Sequence, residues 1–170
     1  MNTSDPILVV DVNVIIHLEK VGLLDELISD KNIRIVDLVL YQEYEFKRNL
    51  ASEKVEKIKQ VHLNEEQMFE AHVLYKSNPR NSIFDYYSYI VARDNNYELL
   101  TGDWKLKKKV NDVAVHGAIW YVQKLNEKGI IDNTKLKKIY ETWLNDPTVF
   151  IRSDILSELI IELSEKCSNQ

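Results

Sequence analysis

The stretch ILVVDVNVII (residues 7–16) decides the fold of this chain, because eight of its ten residues are apolar and the other two are Asp11 and Asn13. An apolar run of this kind is typical of a central strand in a parallel sheet, buried on both faces and followed by a helix. In such sheets, ligands bind beyond the carboxyl ends of the strands, which is where Asp11 lies. Asp is also a favoured helix N-cap, so Asp11 is either a site residue or a cap.

The composition limits what kind of protein this is. The chain has 170 residues, of which 45% are hydrophobic, and a net charge of −5. This length fits one domain with a proper core. The negative net charge argues against non-specific electrostatic binding of nucleic acid over a broad surface, unless metal ions neutralise clustered acids. The single cysteine, Cys167, excludes a disulfide framework and a cysteine-based zinc site. No signal-peptide pattern or bilayer-length apolar run is found, so we expect a soluble, cytoplasmic protein.

Apolar periodicity and capping residues predict an alternation of strands and helices along the chain. Besides the first strand, strands are expected at 33–36, 61–63, 98–101 and 113–115, and helices at 14–20, 23–29, 37–48, 51–60, 65–76, 82–95, 104–110, 117–128, 134–144 and 153–166. This order predicts a three-layer α/β/α fold with a central parallel sheet. We expect residues 1–130 to form the main domain and residues 131–170 to form a helical extension packed on the same domain.

Two further aspartates have positions comparable with that of Asp11. Asp103 follows the predicted strand at 98–101, and Asp85 lies in the first turn of the helix that leads to that strand. Each also has a structural interpretation, since Asp103 suits a helix cap and Asp85 completes a capping-box pattern with Ser82. The local sequence leaves both interpretations open.

A glutamate on the predicted helix 37–48 is the fourth candidate. At about 100° per residue, Glu43 falls on the apolar stripe of Val39, Leu40 and Phe46, whereas Glu45 points to solvent. A carboxylate on a buried face is uncommon without a partner. The alternative is that Glu43 lies at the edge of the stripe and reaches water.

A three-layer fold would bring Asp11, Glu43, Asp85 and Asp103 to one edge of the sheet. Clustered carboxylates repel each other and require cations, and all-oxygen ligation favours Mg²⁺ or Mn²⁺ over zinc. Such a pocket suits phosphodiester hydrolysis, in which Asn13 and Thr101 can orient a carboxylate or a metal-bound water. Because the acids repel without metal, we expect Asp103→Asn to raise the melting temperature in EDTA.

Four segments of the chain resemble successive motifs of PIN-domain nucleases: VVDVNVII around Asp11, VLYQE ending at Glu43, SIFD ending at Asp85 and LLTGD ending at Asp103. The resemblance covers roughly residues 6–120 and implies that residues 1–130 form a PIN-like nuclease domain. It implies a metal-dependent endoribonuclease for single-stranded RNA, with the four acids as catalytic and metal-binding residues. Many small bacterial members are toxins of toxin–antitoxin pairs and are often dimeric, so an antitoxin protein or a second copy is an implied partner.

Other classes fit less well. A haloacid-dehalogenase-type phosphatase also begins with an aspartate after an apolar strand, but it needs acids at the positions of Asn13 and Lys107. A receiver domain needs a phospho-acceptor aspartate on a middle strand and a lysine on a late strand, and neither is visible. The remaining alternative is a catalytically silent PIN-like module that binds RNA or protein.

The lysines that follow Asp103, the histidines and the last helix complete the list of candidates. Lys105, Lys107, Lys108 and Lys109 follow Asp103 closely and either contact RNA phosphates or form a solvated helix face. The four histidines show no ligand spacing, so we expect them at the surface or at caps. The apolar stripe of the last helix is expected to pack on its own domain, with a dimer or antitoxin groove as the alternative.

Overall fold

The computed structural model describes residues 5–44 and 53–168, with side chains up to residue 165. Within these residues, five short strands form one parallel sheet in the order β3-β2-β1-β4-β5. The strands are β1 (Leu8–Val10), β2 (Ile33–Val36), β3 (Lys59–Val61), β4 (Glu98–Leu100) and β5 (Val115–His116).

The helices flank this sheet and confirm the predicted three-layer α/β/α fold. They are α1 (Val12–Lys20), α2 (Leu24–Ser29), α3 (Glu65–Ser77), α4 (Ile83–Asp94), α5 (Trp104–Lys107), α6 (Ala118–Glu127), α7 (Asn133–Asn145) and α8 (Ser153–Ser168). A π-helical segment (Val39–Tyr44) and a 3₁₀ turn (Val55–Lys57) lie between β2 and β3. None of the described helices combines the length and the apolar character needed to cross a bilayer.

Strand β1 is the centre of the sheet, as its uninterrupted apolar sequence predicts. All three of its residues are buried, and Leu8 lies opposite Ile33 of β2 on one side and Glu98 of β4 on the other. The chain first places β2 and β3 on one side of β1 and then returns to place β4 and β5 on the other side. The strand order therefore reverses between β1 and β4, and in α/β sheets a crevice for ligands opens at such a point.

The predicted helix at 51–60 is wrong where the structure describes that segment. Residues 53 and 54 form a turn, Val55–Lys57 form one 3₁₀ turn, and strand β3 already begins at Lys59, two residues earlier than expected. Because β3 is an edge strand with polar residues, it lacks the apolar alternation that reveals a strand. The pairing of Val36 with Val61 is what defines β3.

Several other boundaries also differ from the prediction. Helix α5 has only four residues instead of the expected seven, and β5 lies at Val115–His116 rather than at 113–115. The helix expected at 37–48 becomes π-helical from Val39, and its continuation beyond Tyr44, including Glu45 and Phe46, lies outside the described residues.

The C-terminal helices pack against each other, and α7 contacts α1. Trp143 of α7 is 1% exposed, and its indole N–H donates to the backbone oxygen of His17 on α1 at 3.0 Å. Leu156 and Leu163 of α8 are buried as well. The domain boundary at residue 130 stays a prediction.

Candidate functional site

Asp11 lies at the N-cap position of α1, but in the described part of the chain its side chain makes no capping hydrogen bond to that helix. Its Oδ2 atom instead accepts hydrogen bonds from Asn13 Nδ2 at 3.3 Å and from Thr101 Oγ1 at 3.1 Å. The residue is only 3% exposed. The cap interpretation of the Asp11 carboxylate is therefore wrong, and the carboxylate is oriented by the two polar side chains.

Thr101 links the ends of β1 and β4. Its hydroxyl donates to Asp11 Oδ2 and accepts from the backbone N–H of Asp103 at 3.1 Å. Because β1 and β4 are paired through Val10 and Leu100, the residues that follow these two strands lie side by side. One buried hydroxyl thus connects both strand-end aspartates.

The Asp103 carboxylate is engaged by the protein on both oxygens. Oδ1 caps α5 by accepting from the N–H groups of Lys105 at 2.7 Å and Leu106 at 3.3 Å, so the cap interpretation of Asp103 is confirmed. Oδ2 accepts from Asn81 Nδ2 at 2.6 Å. The Asn81 amide oxygen accepts from Lys109 Nζ in turn. Asn81 therefore joins a lysine to the carboxylate.

The sequence prediction missed Asn81, which is 3% exposed although its neighbours read as a turn. The hydrogen bonds to Asp103 also weaken the expected stabilisation by Asp103→Asn. An amide at this position would present an N–H group where the carboxylate now accepts a hydrogen bond, either from Asn81 or from the start of α5. One buried hydrogen bond would then be lost, which destabilises the folded protein by about 1–3 kcal/mol. We therefore expect the stabilising effect in EDTA from Asp85→Asn instead.

Asp85 forms the capping box with Ser82 that the sequence indicates. Its Oδ2 accepts from the Ser82 N–H at 2.7 Å, and its own N–H donates to Ser82 Oγ at 3.1 Å. Burial and, next, the negative charge of Asp11 raise the pKa of Asp85 to about 6, and Asp103 adds to the effect. The charges of Asp11 and Asp103 therefore both act on the Asp85 carboxyl group.

Glu43 lies on the buried face of its helix, as the stripe argument predicts. It is 7% exposed, and Val39 and Leu40 beside it are buried, whereas Tyr41 is 45% exposed. The comparison with Glu45 falls outside the described residues.

Three of the four acids line one cavity of about 470 Å³, which we name the acidic cavity; its lining includes Glu43, Asp85, Asp103, Asn13 and Lys105. It lies at the carboxyl edge of the sheet, where β1 and β4 end. Asp11 is buried next to this cavity, as its hydrogen bond from Asn13 shows. The fold thus brings together residues that the chain separates widely.

The donor chemistry of the acidic cavity fits Mg²⁺ or Mn²⁺. Among residues 5–44 and 53–168, no three His, Cys, Asp or Glu side chains converge into a ready cluster for an ion. Mg²⁺ keeps several of its waters and is usually held by one or two carboxylates together with substrate phosphates. Burial is the largest cause of the raised pKa of Asp85, and the negative charges of Asp11 and Asp103 add to it; a cation in the cavity would offset these charges.

His17 and the lysines complete the surroundings. His17 was expected at the surface or at a cap, but it is 7% exposed and burial lowers the pKa of its imidazole, because α7 covers α1 at this point. Lys105 lines the acidic cavity, whereas Lys107 and Lys108 line a neighbouring cavity. Their contact with RNA stays a prediction.

Comparison with known proteins adds no family assignment to this geometry. The chain matches no protein-family model, and neither the curated proteins nor the solved structures give a significant match. The resemblance to PIN-domain nucleases therefore depends on the four motifs.

We expect Glu43→Gln to lower RNA cleavage at least tenfold, which corresponds to about 1.4 kcal/mol of activation free energy. The reason is that Glu43 is buried and lines the acidic cavity with Asp85 and Asp103. Steady-state cleavage of a labelled RNA measures the effect. Glu45→Gln is the control, since the sequence periodicity predicts that Glu45 points to solvent, and it should be nearly silent. A larger loss from Glu45→Gln than from Glu43→Gln would contradict the assignment.

Proposed function

We propose that the protein is a PIN-like endoribonuclease that uses Mg²⁺ or Mn²⁺ to hydrolyse phosphodiester bonds of single-stranded RNA. The observation that supports this function best is that Glu43, Asp85 and Asp103 line one cavity beside the buried Asp11. Among the described residues that line the cavity, His17 is the one histidine and there is no cysteine, so most of the charged donor atoms are the carboxylate oxygens that a hard cation prefers.

Some residues of the acidic cavity would bind the cation, and others orient the carboxylates. When bound there, the divalent cation supplies activation of a water and stabilisation of the departing oxygen. Glu43, Asp85 and Asp103 provide the oxygen donors that face the cavity. Thr101 and Asn13 hold the Asp11 carboxylate in one orientation, and Asn81 does the same for Asp103.

The biological role and partners follow from the same resemblance. We propose that the protein is the toxin of a toxin–antitoxin pair, with an antitoxin protein as its inhibitor and a second copy as a further candidate partner. Growth arrest on expression, relieved by Asp85→Asn, would support the toxin role. Normal growth with active enzyme in the cell would contradict it.

We expect the purified protein to cleave a pool of single-stranded RNA with Mn²⁺ or Mg²⁺ and to be inactive in EDTA, because its candidate ligands are carboxylates that need a cation. Gel analysis of the pool under the three conditions measures this. An identically purified Asp11→Asn variant controls for contaminating nucleases and should be inactive. Cleavage that survives exhaustive chelation, or no cleavage with any metal, would overturn the nuclease assignment.

One observation favours a second function, that of a silent binding module. Asp85 and Asp103 both bond to backbone N–H groups at helix starts, so their presence has a structural explanation without catalysis. In that case the RNA pool would bind equally with EDTA and with Mn²⁺ and would remain intact. The cleavage experiment therefore separates the two functions.

A further inference from the structure

A second cavity of about 630 Å³ opens beside the acidic cavity, and we name it the aromatic cavity; its lining includes Trp104, Phe150, His17, His116, Lys107 and Lys108. His17, Trp104 and Phe150 line both cavities. The two cavities therefore share a wall, and a ligand that extends beyond one of them enters the other. The volume is within the range of about 300–1,000 Å³ that is usual for small-molecule sites.

Two aromatic rings of this cavity are exposed to solvent. Trp104 is 60% exposed and Phe150 is 89% exposed. Aromatic rings beside a charged groove are the platforms on which proteins stack the bases of single-stranded nucleic acids, and stacking tolerates any base because every base has a π-face. Their position at the shared wall puts this platform next to the carboxylates.

The charges change sign from one cavity to the next. Glu43, Asp85 and Asp103 line the acidic cavity, whereas Asp103 at the shared wall is the one acid among the described residues that line the aromatic cavity. Lys107 and Lys108 face the aromatic cavity, and Lys108 Nζ lies 4.5 Å from the centre of the Trp104 ring. Because Lys108 Nζ lies over one face of the Trp104 ring, a base would stack on the other face or on Phe150, with the lysines within reach of the phosphate of that nucleotide.

The C-terminal extension supplies part of this wall. Phe150 belongs to the loop between α7 and α8, and that loop is fixed to α1 by an ion pair of 2.9 Å between Lys20 Nζ and Asp146 Oδ2. Asp146 Oδ1 also accepts from the N–H of Thr148 at 2.8 Å. His17 lines the shared wall and is buried, and its Nδ1 atom has no hydrogen-bond partner among the described residues.

We propose that the aromatic cavity is a nucleotide-binding subsite for single-stranded RNA. It takes the base of a nucleotide next to the scissile phosphate on Trp104 and Phe150, with a backbone phosphate at Lys107 and Lys108. This inference rests on the proposed function in taking RNA as the substrate. It gives the C-terminal extension a role in substrate binding.

The test measures the binding of a fluorescein-labelled single-stranded RNA octamer in EDTA by fluorescence anisotropy, with a gel to show that the RNA stays intact. Trp104→Ala should weaken binding about tenfold or more, and Trp104→Tyr, which keeps a stacking ring, should restore most of the affinity. Phe69→Ala is the matched control, because Phe69 is a 72% exposed ring on α3 outside both cavities. It should change affinity less than twofold.

The salt dependence of RNA binding tests the proposed phosphate contacts separately. The double variant Lys107→Ala/Lys108→Ala should reduce the slope of log affinity against log salt by about 0.7, since one phosphate neutralised on a single strand contributes about that much. Lys138→Ala, an exposed lysine on α7, is the control and should leave the slope unchanged.

The subsite proposal is overturned if Trp104→Ala and Phe69→Ala bind the octamer equally well. It is also overturned if the parent does not bind the octamer. A Trp104→Ala variant that changes only the oligomeric state in size-exclusion chromatography overturns it too, since the cavity would then be an interface between copies. The cleavage assay with Mn²⁺ is scored separately. If binding depends on Trp104 but no RNA is cleaved, the subsite is supported and the nuclease proposal is overturned. If RNA is cleaved but binding does not depend on Trp104, the nuclease proposal is supported and the subsite is overturned.

Discussion

At neutral pH in EDTA, the Asp85→Asn variant is expected to melt roughly 4–8 °C above the parent while cleaving RNA at least about a hundredfold more slowly. Burial and the charge of Asp11 raise the pKa of Asp85 from 3.8 to about 6 in the folded protein. This rise in the pKa corresponds to a loss of at most about 3 kcal/mol of the free energy of unfolding when Asp85 is ionised. Since an amide oxygen can still accept from the Ser82 N–H, we expect about 2 kcal/mol of stabilisation.

The pH dependence follows from the direction of this pKa shift. Between the unfolded pKa of 3.8 and the folded pKa of about 6, the folded parent binds more protons at Asp85 than the unfolded chain does. The free energy of unfolding of the parent therefore falls as the pH rises from about 4 to about 6. The variant lacks this contribution, so the two proteins should differ most above pH 6 and least below about pH 4.

Melting curves from pH 4 to pH 8, in EDTA and in Mn²⁺, measure both effects. Asp132→Asn is the matched control, because Asp132 also bonds to a helix-start N–H, that of Lys135 at 2.7 Å, but lies outside the acidic cavity. Mn²⁺ should stabilise the parent and the control more than Asp85→Asn. If Asp85→Asn and Asp132→Asn behave alike under all conditions, Asp85 is only a capping residue.

Trp143→Ala is expected to lower the free energy of unfolding by about 3–5 kcal/mol, as is usual when a large buried aromatic residue is truncated. Trp143 is 1% exposed and donates to the backbone of His17, so its loss opens a cavity between α7 and α1. The melting temperature should fall by roughly 6–20 °C for a domain of this size. One cooperative transition in thermal and urea unfolding would support the prediction that residues 131–170 pack on the same domain.

The control for this prediction is Trp104→Ala, which removes a 60% exposed tryptophan and should change the stability little. Two separate transitions in the parent, with Trp143→Ala affecting only one of them, would show that the C-terminal helices form an independent unit. A stability loss below about 1 kcal/mol from Trp143→Ala would contradict the packing role.

The sequence by itself determined the fold class and the central position of β1, and it singled out the three acids that line one cavity. The apolar run at residues 7–16 predicts a central strand because only a strand covered on both faces can bury every residue of such a run. The stripe of Val39 and Leu40 predicts the burial of Glu43, since helical periodicity depends only on near neighbours in the chain. The capping box at Ser82 is likewise a contact across three residues.

Only the tertiary structure decided which partners these acids have. Thr101 reaches Asp11 across 90 positions of the chain, and Asn81 reaches Asp103 across 22. Local patterns carry no information about such contacts, so Asn81 looked like a turn residue and His17 like a surface residue. Edge strand β3 was predicted two residues too late for a related reason, because its polar residues Lys59 and Gln60 form a strand only through pairing with β2. The joining of the two cavities depends in the same way on packing of the C-terminal helices against α1, since Trp143 holds α7 there and Lys20 holds the loop with Phe150.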